Sequence, residues 1–180
     1  MFKIIKKYSC GIIHLGIPNF QDHRGLFSKI YKSDDFLKLG ISFNPKEHFH
    51  SFSNKNVLRG MHFQINKDAH SKLINCIQGS ILDVCVDVRK ESAYFNQPIC
   101  VELHEKSFSA LFIPKGFAHG FIANQDNTLV QYMTDTTHQP ENDKGVLWSS
   151  INFNWPIKSP ITSERDSSHP SIGENEWIFY

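Results

Sequence analysis

Two histidines, His62 and His119, stand beside glycines in apolar, strand-like runs at positions 57–64 and 112–121. Histidine is the side chain whose unperturbed pKa lies nearest neutrality, so it suits both proton transfer and metal binding. The spacing of the two runs predicts two strands that face each other across a small barrel. The chemistry of these histidines then depends on the groups placed around them.

A metal site in such a barrel would combine a His-x-His pair and a carboxylate on one strand with a histidine on another. The positions two residues from His62 hold a glycine and a glutamine, which do not complete this set. His48 and His50 form a His-x-His pair, but Phe49 between them indicates a packed loop. The pattern favours proton transfer by His62, provided that a carboxylate orients the ring and an acid lies opposite. A core histidine without a chemical role is the structural alternative.

Composition describes an ordinary globular chain. Its 180 residues, 40% of them hydrophobic and 21% charged, predict one domain with a real core. Because 19 Lys and Arg balance 18 Asp and Glu, no net charge favours nucleic acid or anionic membrane as a partner. No apolar run approaches the ~20 residues of a membrane span, and the N-terminal stretch lacks the features of a secretory signal. We therefore expect a cytoplasmic protein.

Most of the chain has the period of two that is typical of strands. In the run 80–88, alternate apolar residues share one face while Asp83 and Asp87 occupy the other, as in a half-buried strand. One short helix is predicted, with Ser33 as its cap and Gly40 at its end. The residues from Trp155 onward resemble a tail or lid over the barrel. Further strands are predicted at 57–63, 72–77, 98–103, 109–113, 118–123 and 127–134. These elements predict an antiparallel β-barrel or jelly roll.

Five runs along the chain, in their order and spacing, carry a resemblance to a known family. They lie at 22–27, 56–64, 114–121, 145–148 and 163–166, and the Arg-Gly-x-His run that ends at His62 is the most specific. The chain resembles the nucleotide-sugar 3,5-epimerases, the RmlC-like cupin family of dTDP-4-dehydrorhamnose 3,5-epimerase. The resemblance implies an all-β, cupin-type jelly-roll barrel over residues 1–180, with short flanking helices and a C-terminal tail. It also implies a homodimer with exchanged strands.

The activity implied is the inversion of C3 and/or C5 of a nucleotide-diphosphate-linked 4-keto-6-deoxy sugar, with no cofactor and no metal. Such an isomerase would supply deoxysugars for surface polysaccharide or glycoconjugates. Whether C3 alone or both carbons are inverted stays open. A function of another class also stays open: a metal-dependent or ligand-binding cupin that has kept the scaffold and lost the epimerase chemistry.

By the same resemblance, four residues carry the proton chemistry. His62 matches the base that removes a proton next to the ketone, and Asp166 matches the carboxylate that orients its ring. Tyr132 matches the acid that returns a proton to the opposite face. Lys72 matches a lysine near the developing oxyanion. From the residues alone, Asp166 would be a turn aspartate and Tyr132 a core tyrosine.

The binding residues follow from the same matches. Arg24 and Arg59 match the family's contacts with pyrophosphate, for which the guanidinium fork is suited because it bonds phosphate at two points. His119 matches a histidine that lines the pocket. Lys29 and Glu47 fall at positions that the family uses around the sugar.

Several of these positions depart from the family pattern. Lys29 stands where relatives commonly have glutamate, and the run 47–51 reads Glu-His-Phe-His-Ser in place of Gln-Asp-Asn-His-Ser. Residues 136–138, Thr-Thr-His, replace aromatic residues near the nucleotide base. We therefore expect a preferred substrate other than the deoxythymidine-linked hexose, with cytidine or guanosine diphosphate sugars, or a heptose, as the options. In the alternative, Phe49 or His138 replaces the lost aromatic platform and the preference is unchanged.

Overall fold

The computed structural model describes residues 1–174, 176, 177 and 179. Strands dominate this part of the chain, with two short α-helices, α1 (Ser33–Lys38) and α2 (Glu164–Ser167), and a 3-10 turn at Trp148–Ser150. Among these described residues, no helix is long and apolar enough to cross a bilayer. The strands are β1 (Lys3–Lys7), β2 (Ile13–Gly16), β3 (Asn19–Asp22), β4 (Gly25–Ser28), β5 (Glu47–Ser53), β6 (Leu58–Gln64), β7 (Lys72–Gln78), β8 (Ser80–Asp87), β9 (Pro98–His104), β10 (Ser109–Ile113), β11 (Phe117–Ala123), β12 (Thr128–Thr134) and β13 (Asp143–Gly145).

Two antiparallel sheets form the body of the fold. The six-stranded sheet has the order β1-β2-β10-β7-β12-β5, and the five-stranded sheet has the order β13-β6-β11-β8-β9. Apolar side chains from both sheets, such as Ile74 and Phe121, pack into one core between them. The strands β3 and β4 form a separate hairpin. All seven predicted strand runs are present, and the predicted all-β jelly roll is confirmed.

Helix α1 covers the outer face of the six-stranded sheet. Its Phe36 is fully buried beside Leu73 and Phe112, a burial that contributes about 1.5–3 kcal/mol to stability. The predicted cap was wrong: the helix begins at Ser33, and its N-cap is Lys32, which makes no side-chain cap bond. The predicted end is confirmed, since the helix stops at Lys38 and Gly40 follows with a positive φ of 76°.

The C-terminal tail covers the outer face of the five-stranded sheet. Trp155 and Trp177 of the tail pack there in one apolar cluster with Phe63 and with Trp148 of the 3-10 turn. The tail therefore packs along the barrel wall, as predicted. It also contains α2, which contacts β6.

Because the tail covers that sheet, strand β8 is buried on both faces. The predicted half-buried strand is therefore wrong, and both of its carboxylates are fully buried. Each one has a partner: Asp83 bonds His119 at 2.8 Å, and Asp87 accepts two bonds from the Arg89 guanidinium. These partners satisfy charges that would otherwise be costly to bury.

The two histidine strands are neighbours in one sheet, so the prediction that they face each other across the barrel was wrong. Strands β6 and β11 pair antiparallel, with His62 directly opposite His119. Glycines allow the two backbones to approach at this point. A Cβ on Gly60 would lie 2.5 Å from Cα of Gly120, which no real side chain tolerates. The sheet therefore presents both imidazoles to the same interior face.

Candidate active site

A cavity of about 440 Å³ lies between the sheets, and side chains from both of them line it. Strands β5, β7 and β12 contribute one wall, and β6, β11 and the region of α2 contribute the other. Seven of the nine residues predicted to form the site meet here. They are Glu47, Arg59, His62, Lys72, His119, Tyr132 and Asp166.

His62 and Asp166 form a directly bonded pair. The His62 Nε2 atom lies 2.7 Å from Oδ1 of Asp166, and the other carboxylate oxygen accepts the Gly60 N–H at 3.0 Å. Burial raises the pKa of Asp166, but the bond from His62, its positive charge and the Gly60 N–H together hold that pKa below its ordinary value. An ionised carboxylate assigns the ring proton to Nε2. In the neutral form of the His62 ring, Nδ1 is thus free to accept a proton.

The short helix α2 sets the position of Asp166. Ser163 is its N-cap, and the Ser163 hydroxyl accepts the Asp166 N–H at 3.1 Å. The run Ser-Glu-Arg-Asp fits a capping pattern, so this sequence signal could have predicted the helix where a turn was expected. Because the cap satisfies the backbone, the Asp166 carboxylate remains available to His62.

Tyr132 lies on β12, in the sheet that faces His62. Its ring stacks on Phe49 with centroids 4.8 Å apart and planes at 8°, and its hydroxyl lies 2.9 Å from Oγ of Ser51. Burial raises the pKa of Tyr132 well above its ordinary value, although the Ser51 bond opposes the shift. The hydroxyl is therefore protonated at neutral pH. Sequence analysis did not identify Ser51, because only strand pairing brings residue 51 beside residue 132.

Lys72 is a buried cation bonded to the backbone of His62. Its Nζ donates to the backbone carbonyl of His62 at 2.8 Å. Burial lowers the pKa of this ammonium to about 8, so at neutral pH most of the molecules carry the charge. The cavity thus contains a positive charge beside the imidazole.

His119 forms a second histidine–carboxylate pair, with Asp83. Burial lowers the pKa of His119, although the adjacent carboxylate raises it. Asp83 was expected on the solvent side of its strand, and its interior position follows from the alternation of residues 81, 83 and 85. The pair holds His119 against the cavity wall, in agreement with its predicted lining role.

Arg59 and Glu47 also line the cavity. The Arg59 guanidinium bonds Oγ of Ser53 and the carbonyl of Phe52, each at 3.0 Å. Within the part of the chain that the structure describes, Arg59 has no carboxylate partner, so its charge is available to an anion. Glu47 accepts the backbone N–H of His138 at 2.6 Å.

Arg24 and Lys29 do not reach the cavity of their own chain. Arg24 lies at the tip of the β3–β4 hairpin, with 78% of its side chain exposed and an ion pair to Asp22 at 2.6 Å. Lys29 follows β4 and is exposed. The structure therefore does not bring these two predicted binding residues to the other seven.

Two further histidines near the cavity were not predicted as site residues. Nδ1 of His70 lies 3.1 Å from the Gln64 amide, and burial, with the nearby Lys72, lowers the His70 pKa to about 2. His169 follows α2, and its ring lies edge-on to His62 with centroids 5.6 Å apart. In each of these two rings Nε2 is buried without a hydrogen-bond partner among the described residues. No motif in the sequence marks either position.

This arrangement can move a proton across a ligand. The His62 imidazole on one sheet and a protonated hydroxyl on the facing sheet line the same cavity, with the Lys72 ammonium bonded to the His62 carbonyl. A general acid and a general base with separated pKa values are the usual requirement for such a transfer.

Comparison with known proteins identifies the family. The family model described as dTDP-4-dehydrorhamnose 3,5-epimerase matches residues 10–174. The protein of that name from Salmonella typhimurium is 35% identical over 178 residues, which cover 97% of each chain. The crystal structure of dTDP-4-dehydrorhamnose 3,5-epimerase from Bacillus anthracis, with TDP and PPi bound, matches with a TM-score of 0.92 and 36% identity, over 95% of this chain and 99% of that one.

A second solved structure is the RmlC epimerase of Legionella pneumophila in complex with dTDP-4-keto-L-rhamnose. It matches with a TM-score of 0.93 and 26% identity, over 100% of this chain and 99% of that one. The match of the family model, the identity to the Salmonella protein and the shared fold agree. The chain belongs to the dTDP-4-dehydrorhamnose 3,5-epimerase family, a family of isomerases with the RmlC-like cupin fold.

Proposed function

We propose that this protein is a cofactor-independent epimerase that inverts C3 and C5 of a dTDP-linked 4-keto-6-deoxy sugar. The observation that carries the proposal is the His62–Asp166 pair placed in one cavity with Tyr132 on the facing sheet. We place the reaction in the cytoplasm, in the biosynthesis of deoxysugars for surface polysaccharide or glycoconjugates.

The proposed reaction begins at His62. Its Nδ1 removes the proton from a carbon next to the ketone, and the bonding electrons move to the ketone oxygen to form an enolate. Asp166 keeps the ring proton on Nε2 and stabilises the imidazolium that results. The Lys72 ammonium stabilises the negative oxygen. Tyr132 then donates its proton to the opposite face of the same carbon, and the configuration there is inverted.

The pH dependence of the rate should report on Lys72. Its ammonium is the form that stabilises an enolate, and its pKa of about 8 means that the charge is lost as the pH rises through that value. We therefore expect kcat/KM to fall above pH 8, while Tyr132 stays protonated throughout. Lys72→Met should lower the rate and abolish this alkaline limb. An unchanged limb in Lys72→Met would assign the titration to another group.

Arg59 is proposed to bind the diphosphate. Arg59→Ala should weaken the binding of a free nucleoside diphosphate by about 10- to 100-fold, the loss of one or two charged hydrogen bonds. Arg59→Lys should recover little affinity because an ammonium cannot make the planar two-point contact. Wild-type affinity should also weaken with salt. Calorimetry measures these constants, and unchanged binding in Arg59→Ala would move the phosphate site elsewhere.

The proposed homodimer gives a place for the hairpin residues. Large apolar side chains are exposed on the hairpin and on β5 and β7, namely Phe20, Leu26, Phe27, Phe52 and Ile77. A second copy of the chain that covers this patch would bury surface that is unusual for a monomer. In such an exchange the hairpin would carry Arg24 and Lys29 to the partner's cavity, where Arg24 would meet the diphosphate.

A mixed dimer tests this arrangement. Arg24→Ala and His62→Asn should each be poorly active alone. If Arg24 serves the partner's site, a dimer of one Arg24→Ala chain with one His62→Asn chain contains one intact site, and activity should return on co-expression. A chain with both substitutions, paired with itself, is the matched control. A mixed dimer no more active than its parents would place Arg24 outside the site.

Two observations support a dTDP-linked sugar over the altered substrate that the sequence departures suggested. The relatives described above are named for dTDP sugars, and one was solved with TDP bound. The Phe49 ring lines the cavity, with 42% of the residue exposed and its other face on Tyr132. It offers the replacement platform that was weighed as an alternative.

The substrate preference is tested by comparing specificity constants for matched 4-keto-6-deoxy sugars on deoxythymidine, cytidine and guanosine diphosphate. A heptose on the preferred nucleotide is measured as well. We expect the deoxythymidine hexose to be preferred. Phe49→Ala should reduce that preference by about one order of magnitude, as stacking is worth roughly 1–3 kcal/mol per base. A clear preference for another nucleotide or for the heptose would instead support the altered-substrate prediction.

A further inference from the structure

Three potential metal ligands converge behind the base. Nε2 of His62, Oδ1 of Asp166 and Nε2 of His169 all lie within 4.8 Å of one another. The separation is 2.7 Å from His62 to Asp166 and 3.9 Å from His169 to Asp166. Zinc with bonds of about 2.0–2.2 Å places tetrahedral ligands about 3.3–3.5 Å apart. Small shifts of these side chains would therefore bring the three ligand atoms to the separations of a tetrahedral site. Two imidazoles and a carboxylate are also ligands that Zn²⁺ prefers.

The surrounding structure already holds His169 in this place. Its ring packs directly on the backbone of Gly145, where any Cβ would collide with it. The side chain is 12% exposed, and its Nε2 is buried without a hydrogen-bond partner in the described part of the chain. A buried nitrogen without a hydrogen-bond partner destabilises the folded protein. A cation between His169 and Asp166 would satisfy it.

Asp166, another of the three ligands, is equally fixed, because the Gly60 N–H bonds its carboxylate and the N-cap of α2 bonds its backbone N–H. The neighbouring Arg165 bonds Asp143 at 2.7 Å. The charge of Arg165 is therefore balanced by Asp143 and not by Asp166.

We propose that His62, Asp166 and His169 form an inhibitory site for a divalent transition metal such as Zn²⁺. A metal on Nε2 of His62 takes the lone pair of that nitrogen, and the single proton of the neutral ring must then sit on Nδ1. Nδ1 is the atom that removes the substrate proton in the proposed function, on which this part of the inference rests. Metal binding would thus convert the base into a form that cannot accept a proton, without occupying the phosphate site.

The first test measures binding without reference to activity. Wild-type protein freed of metal with a chelator is titrated with Co²⁺, followed by its visible absorption, and with Zn²⁺ by calorimetry. We expect one equivalent to bind. His169→Phe keeps a ring on Gly145 and removes both nitrogens, and it should weaken Zn²⁺ binding by at least ~10-fold. His169→Asn is a second variant in case the first does not fold, and His104→Asn controls for adventitious sites.

The second test measures turnover. Saturating Zn²⁺ should lower wild-type epimerisation by at least ~10²-fold, the contribution of a positioned base, with nucleoside diphosphate affinity unchanged. Both His169 variants should keep wild-type turnover without metal and resist Zn²⁺. If wild type and both variants bind Zn²⁺ equally, the proposed site is wrong. If Zn²⁺ binds but does not inhibit epimerisation, or activates it, the inhibitory role is wrong. If wild type shows no epimerisation at all, the proposed function fails, and the Co²⁺ spectra alone decide the site.

Discussion

Replacement of His62 by asparagine is expected to lower epimerisation by at least ~10²-fold, the usual lower contribution of a positioned general base. An asparagine amide can still donate to Asp166, as the ring does at 2.7 Å, so the local structure should persist. It has no nitrogen that accepts a proton near neutral pH. Fold and nucleoside diphosphate affinity should therefore stay at wild-type values, as checked by circular dichroism and calorimetry.

The matched control is His104→Asn, which makes the same substitution on β9, a strand that contributes no residue to the cavity lining. It should leave the rate unchanged. If His62→Asn retains more than about a tenth of wild-type activity, the loss is smaller than a general base supplies. His62 would then line the cavity without acting as the base.

Substitutions of Tyr132 and Asp166 should have different effects on the two proton transfers. In Tyr132→Phe the ring can still stack on Phe49, but it has no proton to donate. His62 should still form the enolate, so solvent deuterium should enter the substrate while inversion falls by ~10²-fold or more. Mass spectrometry measures the exchange, and NMR measures the configuration.

Asp166→Asn should instead slow the exchange itself by ~10²-fold or more, because an amide in place of the carboxylate no longer holds the proton on Nε2 of His62. The carboxylate also accepts the Gly60 N–H, so thermal unfolding of this variant must be compared with wild type. Ser51→Ala, which removes only the hydroxyl partner of Tyr132, is a mild control. Equal suppression of exchange in Tyr132→Phe and Asp166→Asn would make Tyr132 a structural residue.

The strands could be predicted from sequence because their alternation is a local property. Whether the second face of a strand is buried is not a local property, because a segment distant in sequence can cover it. The run 80–88 appears half-buried because Asp83 and Asp87 alternate with valines, and only the tail, about 70 residues later, covers the valine face. The carboxylates then face the interior, where His119 and Arg89 satisfy them. A single sequence does not show which distant segment supplies that cover.

The four residues proposed to carry the chemistry could be predicted because they match the family, but the hydroxyl partner of Tyr132 could not. His62 and Asp166 lie in family runs, Lys72 and Tyr132 match single family positions, and all four line one cavity. The hydroxyl partner of Tyr132, Ser51, becomes its neighbour only through pairing of β5 with β12.

The positions of Arg24 and Lys29 relative to the site could not be predicted from the sequence of one chain. Arg24 was predicted at the phosphate and Lys29 at the sugar, yet both lie outside the cavity of their own chain, exposed on the β3–β4 hairpin and directly after it. Motif matching assigns a residue to a site without stating which copy of the chain completes that site. The proposed dimer, tested by the mixed dimer, would resolve this difference.

The most direct test of the proposed mechanism is the incubation of chelator-treated, metal-free protein with a dTDP-linked 4-keto-6-deoxyhexose in deuterated water. Proton transfer from solvent at both carbons predicts an epimerised sugar that carries deuterium at C3 and at C5, formed at the full rate without added metal. The His62→Asn variant should incorporate deuterium at least ~10² times more slowly. A substrate recovered without deuterium at either carbon, or exchange that appears only when a metal is restored, would contradict the proposed mechanism.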